Sequence, residues 1–183
     1  MRSMNTTVVI VSYKSEHLIE QNIESYDENT KIIIIENSQS HSLKNHIEKK
    51  YKNVEVILNE NSGFGQAANL GAKLTKTENI FFCSPDNFTE KNTIKKLEDL
   101  SQKLDNKFGI LILSDENDCP KTIQTIVKTR GMLCFFIKKE VFLELSGFDE
   151  NFFLYYEDND LVRRTLKKKL NIYQVPIKYS NRQ

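Results

Sequence analysis

Four apolar runs recur at short spacing in the first half of the chain: TTVVIVSY at 6–13, KIIII at 31–35, VEVIL at 54–58 and ENIFFC at 78–83. They are rich in β-branched and aromatic residues and lack a helical period, which is the pattern of strands buried on both faces. Between them lie segments with helical spacing. Ser15 is placed to cap one with apolar residues at Leu18, Ile19, Ile23 and Tyr26, Ser40 to open another that runs through Tyr51, and Ala67, Leu70, Gly71 and Leu74 share one face of a third. Strands alternating with helices at this spacing require parallel pairing through right-handed crossovers, with helices on both faces of the sheet. The expected fold class is therefore α/β, a Rossmann-like three-layer sandwich with a mostly parallel central sheet.

Beyond the fourth run the rhythm changes. Thr89 is placed to cap a helix with the face Ile94, Leu97, Ser101 and Leu104, and residues 108–113 read as a fifth strand. A polar loop, SDENDCPK, leads to two strand-like runs at 122–127 and 132–137, separated by Lys128-Thr129-Arg130-Gly131 in the manner of a hairpin. A short helix at 138–145 is stopped by Gly147, an aromatic loop follows at 148–156, a helix opens at Glu157, and residues 172–175 form a last strand. The 183 residues suit one domain, whose first half has a Rossmann-like nucleotide-binding architecture.

Charge and cysteine usage exclude several functions. Lys and Arg number 26 against 25 Asp and Glu, so no global field recruits nucleic acid. Cys83, Cys119 and Cys134 are odd in number, lack paired metal spacing, and read as reduced core residues of a cytoplasmic protein. No apolar stretch reaches membrane-spanning length, and the sequons at Asn5 and Asn87 read as chance matches. Lys167 to Lys169 read first as a solvated helix end and second as a contact with anionic lipid, which would place the chain at the inner face of a membrane.

Three places are equipped for chemistry. Pro85 forbids the fourth strand from continuing in mid-sheet, so Asp86 falls beyond its carboxyl end, where ligands collect in open α/β sheets. The bland reading of Asp86 is a turn residue bonded to its own backbone. In NSGFGQAA, Gly63, Gly65 and Ala68 match the spacing of a dinucleotide fingerprint, but the match follows the third strand after four polar residues. These glycines read instead as sites of close approach to a ligand or to the sheet, with Gly71 a packing glycine. Glu157, Asp158 and Asp160 stand in the first turn of a helix, where capping and an Asp160 to Arg164 pair compete with a catalytic role. Phe152, Phe153, Tyr155 and Tyr156 just ahead of them would form an apolar wall that raises carboxylate basicity and suits a sugar face. His17, His41 and His46 lie far from these motifs, so no His ligand cluster is visible.

Taken in order, VVIVSYKS, IIIIENSQS, NENSGFGQAANLGA, FFCSPDN and GMLCFFIKKEVFLELSGFDENFFLYYEDNDLVRR resemble the motifs of family 2 glycosyltransferases of the A-type fold, nearest in pattern to the rhamnosyltransferase-like branch. The resemblance covers nearly the whole chain and implies a single glycosyltransferase domain, with 1–113 its nucleotide-binding half and 114–183 a short acceptor and catalytic half. It implies that Ser12 and Tyr13 line a nucleobase, that Glu36 reads the base edge with Asn37 beside it, and that Gly65 and Asn69 belong to a loop and helix over the nucleoside and sugar. It further implies that Asp86 binds a divalent metal, Mg²⁺ or Mn²⁺, and that Asp158 is the general base, with Glu157 adjacent.

The implied reaction is inverting transfer of a sugar from a nucleoside diphosphate sugar to a saccharide or lipid-linked acceptor. Two departures stand out: Ser84 replaces the first acid of the full metal motif, and no His near the C-terminus supplies a further ligand. The chain also stops soon after Pro176, without the longer C-terminal part that relatives use for acceptor or membrane contact, and the polar loop from Ser114 is short, so an acceptor site incomplete in one copy is expected, with a homo-oligomer among the expected partners. From another class, the runner-up is a catalytically degenerate sugar-nucleotide-binding or partner protein with the same fold.

Overall fold

The first strand, β1 (Thr6–Ser12), is buried along almost its whole length and pairs in parallel with two others, β2 (Lys31–Glu36) and β4 (Asn79–Cys83). β3 (Val54–Leu58) adds in parallel to the outer edge of β2. This computed structural model describes residues 5–105, 107–128, 131–132 and 134–181. Among them it contains nine strands in one mixed sheet and six helices; the spatial order is β3, β2, β1, β4, β8 (Cys134–Lys138), β6 (Phe108–Asp115), β9 (Asn171–Asn181) and β5 (Asn87–Thr89), with β7 (Gln124–Ile126) paired to β9.

Strand parity sorts the side chains onto two faces, as the two-residue period of a strand requires. Val8, Ile10, Ile32 and Ile34 point to one face, where they meet Ile19 and Ile23 of α1 (Glu16–Glu24), Leu43 and Ile47 of α2 (His41–Lys50), and Ile94 and Leu97 of α4 (Thr93–Ser101). Val9, Ile80 and Phe82 point to the other, against Ala68 and Ala72 of α3 (Phe64–Leu74), Phe142 of α5 (Lys139–Glu144), and Leu161 and Val162 of α6 (Glu157–Lys167). The expected three layers are present.

Several local expectations are corrected. The second half is threaded into the sheet rather than appended to it. β8 (Cys134–Lys138) lies antiparallel between β4 and β6 (Phe108–Asp115), and β6 then pairs in parallel with β9 (Asn171–Asn181). The expected hairpin does not form, because β7 (Gln124–Ile126) pairs with β9 while β8 pairs with β4 and β6; Thr129 and Arg130 of its turn lie outside the described residues. Thr89 is not a cap but the last residue of β5 (Asn87–Thr89), and α4 starts after Asn92 in a left-handed conformation. Ser15 donates its hydroxyl to the Tyr13 carbonyl instead of capping α1, whereas Ser40 does accept the Leu43 N–H. Leu74 is exposed, and the buried face of α3 is made by Gly65, Ala67, Ala68, Gly71 and Ala72, small residues that let the helix sit close to the sheet. Cys119 is only half-buried, while Cys83 and Cys134 face each other across β4 and β8 as buried thiols. The last strand runs to Asn181 rather than ending at Val175.

Candidate active site

The carboxyl ends of β1, β2 and β4 lie side by side, so residues that follow them in the chain converge on one edge. At this edge Ser12 and Glu36 are register partners, both fully buried, and the Asn37 N–H donates to the Ser12 carbonyl at 2.8 Å. One oxygen of Glu36 is taken by Ser38, whose N–H donates at 2.8 Å and whose hydroxyl also donates to it. The other oxygen, and the Ser12 hydroxyl, are buried without a hydrogen-bond partner. Buried polar atoms are normally paired, so two neighbouring orphans are an unmet hydrogen-bonding demand at this edge. An amide network borders them: Asn59 donates to the Asn37 side chain at 2.9 Å, and Asn37 donates to Asn61 at 3.4 Å. Tyr13 stands at the rim, half exposed, with the Lys14 ammonium 5.3 Å from its ring centroid.

Pro85 ends β4 as expected, and the chain turns through residues 84–87, closed by the Asn87 N–H on the Ser84 carbonyl at 3.1 Å, before entering β5. Asp86 is half-buried on this turn, and no described residue donates a hydrogen bond to its carboxylate. The self-bonded turn residue is thus not what the chain builds. Burial first, then the neighbouring Cys83 and last the Asp86 carboxylate, hold the Cys134 thiol well above its usual range.

The third group is assembled around the aromatic loop. Phe153 accepts the Phe64 N–H at 2.9 Å, so part of the open end of α3 is filled by the loop itself. Gly63 has φ +105°, and a side chain there would run into the Phe153 carbonyl. Gly65 is packed against Phe148, where a Cβ would stand 3.1 Å from the Phe148 Cβ. Asn69 clamps the same loop, donating to the Phe148 carbonyl at 2.9 Å and to Glu150 at 3.0 Å while accepting the Phe148 N–H at 2.9 Å. Gly65 and Asn69 therefore fasten the loop that precedes α6.

α6 then presents its acids differently. Glu157 is buried, with one oxygen unpartnered, and burial first, with the Asp158 charge adding, raises its carboxyl above the usual range. Asp158 is half-buried and accepts the Met132 N–H at 2.8 Å on one oxygen and the Asn159 backbone and side chain at 2.7 and 3.1 Å on the other. Met132 stands just ahead of β8, whose Cys134 opposes Cys83 at the end of β4. Asp158 thereby meets the same edge as Asp86, from the α6 face of the sheet. Asp160 is structural: the Arg164 guanidinium donates to it at 2.6 Å. The aromatic wall is exposed rather than packed over the acids, with Phe153, Tyr155 and Tyr156 open to solvent and both tyrosines at positive φ. Sequence reasoning missed Ser38, Asn59, Asn61 and the Met132 N–H; polar residues after strand ends were the available signal for the first three.

A divalent cation fits these residues in one way. Among the described residues no group of three or more His, Cys, Asp or Glu is gathered, so a divalent cation held by Asp86 would need most of its ligands from outside the protein. Mg²⁺ in particular accepts such a site, with one or two carboxylates completed by substrate phosphates. No helix among the described residues is long and apolar enough to cross a membrane.

These groups gather along the carboxyl edge of a three-layer α/β sheet, the edge at which open sheets of this class hold their ligands. The chain belongs to glycosyl transferase family 2, whose model matches residues 7–163. No curated protein matches the sequence significantly. Among solved structures it is similar to S. aureus TarS 1–349, with TM-score 0.75 and 16% identity over 97% of this chain and 60% of that one. It is also similar to TarS in complex with UDP-GlcNAc, with TM-score 0.75 and 15% identity over 98% of this chain and 59% of that one. A third is GalNAc-T7 with UDP, GalNAc and Mn²⁺, with TM-score 0.79 and 14% identity over 98% of this chain and 44% of that one. The chain thus spans about 60% of the length of the TarS fragment, and these likenesses establish the A-type fold.

Proposed function

We propose that the chain is the donor-binding and catalytic part of an inverting glycosyltransferase of the rhamnosyltransferase-like branch, acting on a nucleoside diphosphate sugar and a saccharide or lipid-linked acceptor. The observation that carries this reading is Asp86: a half-buried carboxylate that takes no hydrogen bond from a described residue, set beyond the end of β4 at the same sheet edge as the orphaned Ser12 and Glu36 atoms. Glu36 accepts from the nucleobase edge, Ser12, Tyr13 and Asn37 bound the base, and Gly65 and Asn69 support the loop over the sugar. A divalent cation on Asp86, Mg²⁺ or Mn²⁺, would supply charge neutralisation for the leaving diphosphate. The likeness to UDP, UDP-GlcNAc and Mn²⁺ complexes supports a donor and ion of that kind.

Asp158 is the general base. The acceptor hydroxyl oxygen bonds to the anomeric carbon, its proton passes to Asp158, and the bond from that carbon to the diphosphate oxygen breaks with its electron pair leaving on the nucleoside diphosphate. Attack from the face opposite the leaving group inverts the anomeric centre. Acceptor completion by a second copy, and contact of Lys167 to Lys169 with anionic lipid at the inner face of a membrane, belong to the same reading. A binding role without turnover is favoured by one observation: the Asp158 carboxylate already accepts three hydrogen bonds.

Transfer assays with Asp158→Asn separate the two. The amide keeps the acceptor for the Met132 N–H but cannot take a proton, so turnover falls by roughly 10² to 10⁴ while donor affinity holds. Equal turnover in wild type and variant refutes Asp158 as the base, and a wild type that binds donor but turns over none establishes the binding role.

A further inference from the structure

Asn22 lies in the second turn of α1, on the buried face that carries Ile19 and Ile23 and is continued by Tyr26 just past the helix, and it is fully buried. A polar residue on such a face is costly unless its hydrogen bonds are met. Its amide nitrogen is met by one segment only. It lies 2.8 Å from the Asn87 carbonyl and 3.2 Å from each of the Ser84 and Pro85 carbonyls. An amide has two N–H donors, so one serves Asn87 and the other is shared by Ser84 and Pro85. These three carbonyls bracket Asp86, whose own carboxylate takes no hydrogen bond from a described residue. The turn is therefore oriented through its backbone, by a side chain reaching across from another element, and the carboxylate is left free.

We propose that Asn22 is a positioning residue for the cation-binding carboxylate Asp86, making α1 a rigid link between the nucleobase and diphosphate ends of the donor site; this rests on the role given to Asp86 above. α1 begins just after Tyr13 and Lys14, at the base end, and Asn22 is six residues further along, roughly 9 Å at 1.5 Å per residue. One helix thus holds both ends of the nucleotide in register. Cys83 supports the arrangement from the strand side, its thiol lying 3.3 Å from the Asn87 carbonyl. A residue that merely satisfied buried groups would stabilise the fold without regard to metal. A positioning residue governs the metal-dependent part of nucleotide binding.

Calorimetric titration of the chain with UDP, in Mn²⁺ and in EDTA, tests this without relying on turnover. In Asn22→Leu, which keeps the volume and removes the donors, the Mn²⁺-dependent gain in UDP affinity falls roughly 10- to 100-fold, as for other groups that orient a metal ligand. Affinity in EDTA stays as in wild type, and Asn22→Ser, which retains a donor, falls between. Asp86→Ala is the reference. If it keeps the Mn²⁺-dependent gain, Asp86 does not hold the ion and the premise fails. If Asp86→Ala loses the gain while Asn22→Leu keeps it, the positioning role alone is overturned. Should neither Asn22 variant fold, hydrogen exchange in wild type decides: the Asn22 side-chain amide slows on adding UDP with Mn²⁺ but not UDP in EDTA, and an equal response to both overturns the proposal.

Discussion

Glu157 and Asp158 are neighbours in sequence with opposite environments, and the difference sets what each can do. Glu157 is buried beside Gly65 with an oxygen left over, so its charged form is disfavoured. Asp158 is stabilised by three donors and reaches the edge of the sheet. Because the folded chain binds the Glu157 proton more tightly than the unfolded chain does, this group contributes stability at acid pH. That contribution is lost as the pH rises through its raised pKa. Glu157→Gln removes the titration. Its melting temperature relative to wild type should therefore climb as the pH leaves the usual carboxylate range, and a difference constant with pH would contradict the burial of the charge. At this scale Pro85 made the Asp86 turn legible, since proline ends a central strand wherever it falls. Asn22 was legible in principle as a lone amide on an apolar helix face. The bond from Met132 to Asp158 was not, because it joins segments 26 residues apart through a backbone group that any residue carries.

Among the elements, α3 shows how closeness to the sheet is obtained. A Cβ on Gly71 would collide with Val9, itself buried in β1 between β2 and β4 and unable to give way cheaply. Alanine at this position gains about 1 kcal/mol in helix propensity and loses roughly 1–3 kcal/mol to overpacking. Gly71→Ala should thus lower the midpoint of urea unfolding with the slope unchanged; a raised midpoint would mean that α3 shifts freely, and that its hold on the 147–156 loop is looser than Asn69 suggests. The first four strands and the helices between them were readable because doubly buried parallel strands are continuous apolar runs. β5, at three residues, carries no periodic signal, and a hydroxyl at its end imitates a helix cap. β7 and β8 read as hairpin partners because local pairing is the only pairing that adjacent segments can advertise. Their actual partners are set by where β9 and the gap between β4 and β6 lie.

For the whole molecule, the insertion of β8 beside β4 is what turns a nucleotide-binding sheet into a candidate catalyst. It brings the start of β8, and through Met132 the carboxylate of Asp158, to the edge where β4 releases Asp86. The α/β class was legible from alternating strands and helices; the antiparallel strand in the middle was not, since sheet order is a long-range property. The most direct measurement is a crystal structure of the chain with UDP and Mn²⁺. The base should lie against Ser12, Tyr13 and Glu36, filling the unpartnered oxygen of Glu36, with the ion between Asp86 and the diphosphate and Asp158 facing the space beyond it. A nucleotide at the opposite edge of the sheet, or a diphosphate and ion away from Asp86, would contradict the assignment of this edge as the donor site.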